Sequence, residues 1–240
     1  MLADLAALRP EIGILADYGK LLPQAILDLP PRGILNLHPS LLPRHRGATP
    51  IPAAILAGDA ETGVALFRMD AGMDTGPVVA RRRIPLPADA DTPELEASLA
   101  AVAADLMRRS LGPWLRGELT ADVQPPDGVT VTRPFRREDG RLDPARPAAV
   151  LERQVRAQRP WPGTFVEVTA ARIGVLRTAV GPSRDGDEPG RLVRDEGAGL
   201  ALTTSDGRLR LLEVQPAGGR PMDGASLVRG RPGLIGARVG

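Results

Sequence analysis

Proline and glycine break this chain so often that it can fold only into many short elements: 25 prolines and 27 glycines are spread over 240 residues. The breaks follow no period, which excludes a collagen-like repeat and argues against a disordered tract. One stretch runs uninterrupted from Glu94 to Leu111. Thr92–Leu115 carries Leu95, Leu99, Val102, Leu106 and Leu111 at roughly helical spacing, the pattern of one long amphipathic helix. Aromatic residues make up only 2% of the chain, so its cores must be built mainly from Leu, Val, Ile and Ala. Otherwise 42% hydrophobic and 25% charged residues suit an ordinary soluble globular protein.

Between the breaks the pattern alternates. Ala3–Leu8 reads as the tail of a helix, ended by Arg9-Pro10, because proline disfavours helix in the residue before it. Glu11–Ala16 is a short apolar run of buried-strand type, and Pro23–Asp28 a short helix. Gly33–His38 is a second strand, Thr49–Ala57 a helix with Pro50 in its first turn, and Thr62–Met69 and Gly76–Ile84 two more strands. Strands alternating with helices over 1–117 predict an open, Rossmann-like α/β domain. Such a domain should begin with a strand, whereas this chain begins with part of a helix, so its first strands are expected to be missing. Residues 118–134 shift to proline, glycine, threonine and aspartate, the composition of a linker. In 135–240 an amphipathic helix, Pro147–Gln158, precedes short strand-like runs at Thr164–Thr169, Arg172–Val180, Gly190–Val193, Gly199–Thr203 and Arg208–Gln215. That spacing favours a small barrel.

Several chemistries are excluded by composition. The chain has no cysteine, which removes disulfides, thiolate catalysis and cysteine-ligated metals. No apolar run approaches the roughly 20 residues needed to span a membrane. Met1–Pro10 has no signal-peptide layout, so a cytoplasmic protein is expected. Formal net charge is only +2, and Lys20 is the sole lysine. That arginine bias fits either genome composition or phosphate recognition, and net charge does not separate the two.

Three polar residues stand out against the apolar background. Asn36 and His38 are two apart at the end of a strand and so share one face, opposite Leu35 and Leu37. Asp74 lies in the loop Met69–Gly76, just beyond the third strand. Ligands gather at the carboxyl ends of strands in open α/β sheets. An Asn, a His and an Asp converging there suit transfer of an acyl group to an amine without a covalent enzyme intermediate. The Asn36 carboxamide would donate to the developing oxyanion, as would His38 as imidazolium, its pKa raised by Asp74. Asp74 would collect the proton leaving the amine. Taken singly, each has an ordinary reading: a turn-forming Asn, a structural His, turn aspartates at 70 and 74. No metal is expected, since His38 and His45 are the only histidines and lack a ligand spacing.

The run N-L-H-P-S-L-L-P-R-H-R-G (Asn36–Gly47), followed by M-D-A-G-M-D-T-G (Met69–Gly76), resembles the folate-dependent formyltransferases. R-R-E-D-G-R-L-D (Arg136–Asp143), R-A-Q-R-P-W-P-G (Arg156–Gly163) and L-L-E-V-Q-P-A-G-G-R-P-M (Leu211–Met222) are similar to the tRNA-specific branch, the methionyl-tRNA formyltransferases. The resemblance implies that Asn36, His38 and Asp74 are the catalytic trio. It implies a formyl donor, 10-formyltetrahydrofolate, held by Tyr18, Gly19, Leu21, Leu22, Ser40, Leu41, Leu42, Pro43, Met69, Asp70 and Gly72. It also implies an initiator methionyl-tRNA acceptor, touched by Arg44, Arg46, Arg136, Arg137 and Arg141, and an oligonucleotide-binding-type (OB-like) C-terminal barrel. Arg44 and Arg46 fit a plain surface role equally well, and Arg81–Arg83 reads as a solvated strand end. A monomer is expected. Two departures stand out: Met1 falls where the family's chain is well under way, and Pro144 sits where the family often has an aromatic residue. The alternatives are a formyltransferase acting on a small amine, such as glycinamide ribonucleotide or an amino sugar, and a non-catalytic remnant with residual RNA binding.

Overall fold

The computed structural model describes residues 2–169 and 171–240. They fall into two compact units, one ending at Pro134 and one spanning Phe135–Gly240.

In the first unit the elements run α1 (Leu2–Ala7), β1 (Gly13–Leu15), α2 (Gln24–Leu27), β2 (Ile34–His38), β3 (Arg46–Gly47), α3 (Pro50–Ala57), β4 (Glu61–Arg68), β5 (Val78–Pro85), α4 (Thr92–Leu115) and β6 (Val131–Thr132). Four strands form a sheet in the order β1-β2-β4-β5. Only β1 and β2 are parallel; β2–β4 and β4–β5 are antiparallel. The α/β expectation holds, with a mixed sheet. Strand β4 lies inside it, and its run from Thr62 to Phe67 is buried without a break, as a strand covered on both faces requires. Ala65 and Phe67 pack with Leu42 and Val78, and the opposite-facing Val64 and Leu66 are fully buried too. The edge strand β1 leaves Ile14 exposed.

Helix α4 has the bounds its spacing predicts. Asp91 accepts from the Glu94 amide at 3.1 Å, and the Glu94 carboxylate accepts from the Asp91 amide at 3.2 Å, a capping box that fixes the first turn. Leu95, Leu99 and Leu106 are buried, and the helix packs on β4 and β5. Three turns of apolar stripe thus hold the sheet against one long helix.

The stretch 118–134 corrects the linker expectation. Asp122 and Val78 exchange both backbone hydrogen bonds, at 2.8 and 2.9 Å. β6 pairs in parallel with β3, and the Thr130 carbonyl accepts from the Arg46 amide at 2.9 Å. Proline and glycine suggested a tether, but the remaining backbone groups still need partners, and the first unit supplies them.

The second unit opens with a short 3-10 turn (Arg137–Gly140) and α5 (Ala148–Ala157). Then follow β7 (Thr164–Val168), β8 (Ala171–Gly181), β9 (Leu192–Val193), β10 (Ala201–Thr203), β11 (Arg208–Pro216), β12 (Met222–Asp223) and α6 (Gly224–Gly230). The strands make an antiparallel sheet in the order β7-β8-β11-β10-β9, with β12 on β11. Regular ladders do not close it into a barrel among the described residues. The C-terminal tail does touch both edges: Val239 bridges Val168 beside β7, and Arg238 bridges Arg191 beside β9. The core beneath joins Leu151 and Val155 of α5 and Leu227 and Val228 of α6 to aliphatic residues of five strands, with no aromatic among its buried members. This is the Leu-Val-Ile-Ala core that composition demanded. Pro144, where an aromatic residue was expected, uses its carbonyl to accept from the Ser205 amide at 2.9 Å.

Three elements were not foreseen besides β3, β6 and β12: the 3-10 turn, a second one at Pro232–Leu234, and α6. Helix α6 begins with glycine, the poorest helix former after proline. It forms because Asp223 accepts from the Ser226 amide at 2.7 Å and because Leu227 and Val228 bury. No helix of the described residues is long and apolar enough to cross a membrane.

Candidate active site

Strand β2 sits between β1 and β4, with Asn36 opposite Leu15 on one side and Phe67 on the other. Its alternation puts Asn36 and His38 on one face at the carboxyl end of the strand. Both line a cleft of about 430 Å³ within the first unit. The Asn36 carboxamide is half-buried and makes no hydrogen bond among the described residues, so its donors stay free for a ligand. Asp74 forms part of the same wall.

His38 is buried, at 4% exposure. Its Nε2 lies 2.8 Å from the His45 carbonyl oxygen. A carbonyl only accepts, so Nε2 carries the hydrogen, and in the neutral ring Nδ1 is the acceptor. Nδ1 is 3.6 Å from Asp74 Oδ2, too long for a direct hydrogen bond but close enough for strong electrostatic coupling. Burial lowers the His38 pKa from its ordinary value, although Asp74 and the His45 carbonyl pull the other way. Asp74 does raise it, as expected, but desolvation of the imidazolium outweighs the nearby carboxylate and the net shift is downward. His38 is therefore a neutral imidazole at pH 7.

Asp74 stands in the left-handed region, at φ 55°. Its Oδ2 accepts from the Gly47 amide at 2.7 Å, and its carbonyl accepts from Gln124 Nε2 at 2.8 Å. Gly47 itself needs to be glycine: its φ is 99°, and a side chain there would collide with the Thr132 carbonyl oxygen.

The residues expected at the formyl donor divide. Tyr18, Gly19, Leu21, Met69 and Gly72 line the cleft. Leu22 packs instead against Ile26, Leu27 and Ile34. Ser40 is fully buried and donates from Oγ to the Arg44 carbonyl at 2.6 Å. Leu42 belongs to the core with Phe67, and the Pro43 carbonyl accepts from the Thr130 amide. Leu41 lines a separate cavity of about 200 Å³ beside Arg44, His45 and Asp59. Asp70 is a turn residue whose Oδ1 accepts from the Gly72 amide and the Thr75 hydroxyl. A continuous run of motif residues looked like one surface, but the chain turns through it, and Ser40, Leu42 and His45 are buried. Pro50, Ile51, Thr92 and Glu96 join the cleft without having been foreseen, and so does Lys20 from within the Tyr18–Leu22 stretch expected along the donor. They come from the N-terminal ends of α3 and α4 and from the loop after β1, which only the packing brings together.

The arginines divide as well. Arg44 pairs with Asp59 at 2.5 Å. Arg46 aims Nε and Nη2 at Gln124 Oε1, at 3.1 and 2.7 Å. In the second unit Arg136 and Arg137 are exposed, Arg137 lies 5.7 Å over the Trp161 ring, and Arg141 pairs with Glu167. Arg81–Arg83 are exposed on β5, with Arg83 paired to Glu61. His45, inside the Leu41–Gly47 stretch expected along the donor, was given no role of its own. It is buried at φ 55°, its Nε2 is 2.7 Å from Asp59 Oδ2, and its carbonyl orients His38. No group of three or more His, Cys, Asp or Glu among the described residues is placed to hold a metal ion.

The cleft thus has the parts for acyl transfer to an amine, and comparison with known proteins decides the family. The formyl transferase family matches residues 1–111, and the formyl transferase C-terminal domain matches residues 134–232. The methionyl-tRNA formyltransferase of Roseiflexus castenholzii is 43% identical over 238 residues, covering 99% of this chain and 76% of that one. The chain belongs to the methionyl-tRNA formyltransferase family. Solved structures share the fold of this family. HypX from Aquifex aeolicus, in complex with tetrahydrofolic acid, aligns with a TM-score of 0.67 at 19% identity over 95% of this chain and 40% of its own. The methionyl-tRNA formyltransferase from Clostridium thermocellum aligns with a TM-score of 0.59 at 18% identity over 78% of each chain.

Proposed function

We propose that this chain transfers a formyl group from 10-formyltetrahydrofolate to the amino group of initiator methionyl-tRNA, with Asn36, His38 and Asp74 as catalytic residues. The observation that carries the reading is the placement of these three side chains on one cleft wall in a chain of this family. The cleft suits the donor. Its volume falls in the range of small-molecule sites, and Leu15, Leu21, Ile51 and Met69 give it apolar walls beside the polar end. A structural neighbour solved in complex with tetrahydrofolic acid supports a folate-derived formyl donor.

In the reaction the amine nitrogen bonds to the formyl carbon, the bond from that carbon to the folate nitrogen breaks, and one proton passes from the attacking to the leaving nitrogen. The free Asn36 carboxamide donates to the oxygen as it gains negative charge. Asp74 Oδ2 and neutral His38 Nδ1, 3.6 Å apart, are two acceptors beside Asn36 on the wall. Between them they take the proton from the attacking nitrogen and return it to the leaving one. The His45 carbonyl fixes the tautomer that leaves Nδ1 open.

The second unit fits an OB-like barrel that holds the tRNA. The bridges of Val239 and Arg238 to the two sheet edges support closure by the tail, and exposed Arg136 and Arg137 suit phosphate contact. The test is formylation of methionyl-tRNA by the chain, given 10-formyltetrahydrofolate. Asp74→Ala is expected to abolish turnover, and Asn36→Ala to cost about 10²–10³ in kcat, both with tRNA binding kept. Near-full activity in Asp74→Ala would sink the mechanism.

A further inference from the structure

A closed ring of hydrogen bonds runs behind the cleft wall. The Gly47 amide donates to Asp74 Oδ2 at 2.7 Å, and this is the oxygen that faces His38 Nδ1 at 3.6 Å. Next to Gly47 in the chain, Arg46 directs Nε and Nη2 to Gln124 Oε1. Gln124 completes the circuit: its Nε2 donates to the carbonyls of Asp74 at 2.8 Å and Gly76 at 2.7 Å. Gln124 is 7% exposed, and both ends of its carboxamide are engaged. The ring joins three parts of the first unit: β3, the loop after β4 and the stretch before β6.

We propose that Arg46 and Gln124 are positioning residues that hold the Asp74 carboxylate against His38, and that Arg46 serves the reaction in this way rather than by touching tRNA. This rests on the formyl-transfer reading, in which Asp74 acts on the amine. The geometry favours a positioning role over plain fold stability because the ring closes on the reacting carboxylate itself. Asp74 is in a left-handed backbone conformation that residues other than glycine adopt uncommonly. Such a conformation persists only where its surroundings over-determine it. Here the carbonyl of the strained residue is held by Gln124 and its carboxylate by Gly47. Loss of the amide donor at Gln124 frees the loop from Asp74 to Gly76, and loss of the guanidinium frees Gln124 to turn. Either change moves Oδ2 relative to Nδ1.

The test compares Gln124→Met, Arg46→Met, their double variant and Asp74→Asn in the full chain. The first readout is the His38 ring, followed by NMR titration and told apart from His45, the only other histidine, by a His45→Gln control. Asp74 and His45 are the titratable groups that face His38. Asp74→Asn removes the charge that favours the imidazolium and is expected to lower the His38 midpoint. Gln124→Met and Arg46→Met are expected to lower it in the same direction, by about 0.5 or more. The double variant should go no further than the larger single effect, because both residues belong to one ring. In formylation assays Gln124→Met and Arg46→Met should each lose about 10- to 100-fold in kcat with KM for tRNA unchanged, whereas Asp74→Asn should abolish turnover.

An unshifted His38 midpoint in folded Gln124→Met and Arg46→Met, beside a shifted one in Asp74→Asn, would overturn the proposal. So would an Arg46→Met chain with intact kcat and a raised, salt-dependent KM for tRNA. Should Gln124→Met fail to fold by circular dichroism, Arg46→Met decides alone, since it leaves Gln124 in place. Full turnover by Asp74→Asn would instead remove the formyl-transfer mechanism, and the His38 titration would still judge the ring.

Discussion

At the scale of single residues, the deciding competition is between burial and a neighbouring charge at His38. Desolvation wins, so the folded pKa lies below the unfolded value of about 6.5. The native state then binds fewer protons than the unfolded state as pH falls below that value, so acid favours unfolding. The stabilisation from keeping this ring neutral is fully present above about pH 6.5 and is lost as pH falls through the folded midpoint. Urea midpoints measured at neutral and mildly acidic pH should therefore drop more for the wild-type chain than for His38→Gln. Equal drops would show that another group governs the window. Much of this site was legible without coordinates. The period of two on β2 placed Asn36 with His38, and the loop after β4 supplied Asp74. His45 and Gln124 were not legible, because nothing in their local sequence says that one lends a carbonyl and the other a carboxamide to residues distant in the chain.

At the scale of elements, local signals did well where one element carries its own instructions. Helix α4 has a capping box, an apolar stripe and a clean end, and its predicted bounds match the structure. Its N-terminus borders the cleft through Thr92 and Glu96, so its first turn matters to the site. Asp91→Ala is expected to destabilise the chain by about 1 kcal/mol, read as a lower denaturant midpoint with an unchanged slope. A change below about 0.3 kcal/mol would mean that tertiary packing alone holds this turn. Elements made by partnership were missed. Strands β3 and β6 have two residues each and exist because they pair with one another. Helix α6 starts on glycine and depends on its cap and on a core built by distant strands.

At the scale of the whole molecule, the arginine bias resolves by position. Arg44, Arg46, Arg83, Arg141 and Arg208 are spent on internal partners: Asp59, Gln124, Glu61, Glu167 and Asp187. Arg136 and Arg137 present exposed side chains, the second laid over Trp161. Under the proposed function these two are the better phosphate contacts. Arg137→Ala should weaken tRNA binding at low salt and reduce the slope of log K against log salt by about 0.7–0.9. An unchanged slope would assign Arg137 to the Trp161 stack alone. The sequence by itself determined the class of chemistry, the alternation that yields an α/β unit, the aliphatic character of the cores and the face shared by Asn36 and His38. These follow from residue type and short-range periodicity, which act within a few residues. Only the tertiary structure decided that His38 is neutral, that Ser40, Leu42 and His45 of the motif are buried, that a supposed linker completes the first unit, and that Gln124 stands behind Asp74. Each of these depends on desolvation or on hydrogen bonds between segments far apart in the chain, and such terms exist only once the chain has folded.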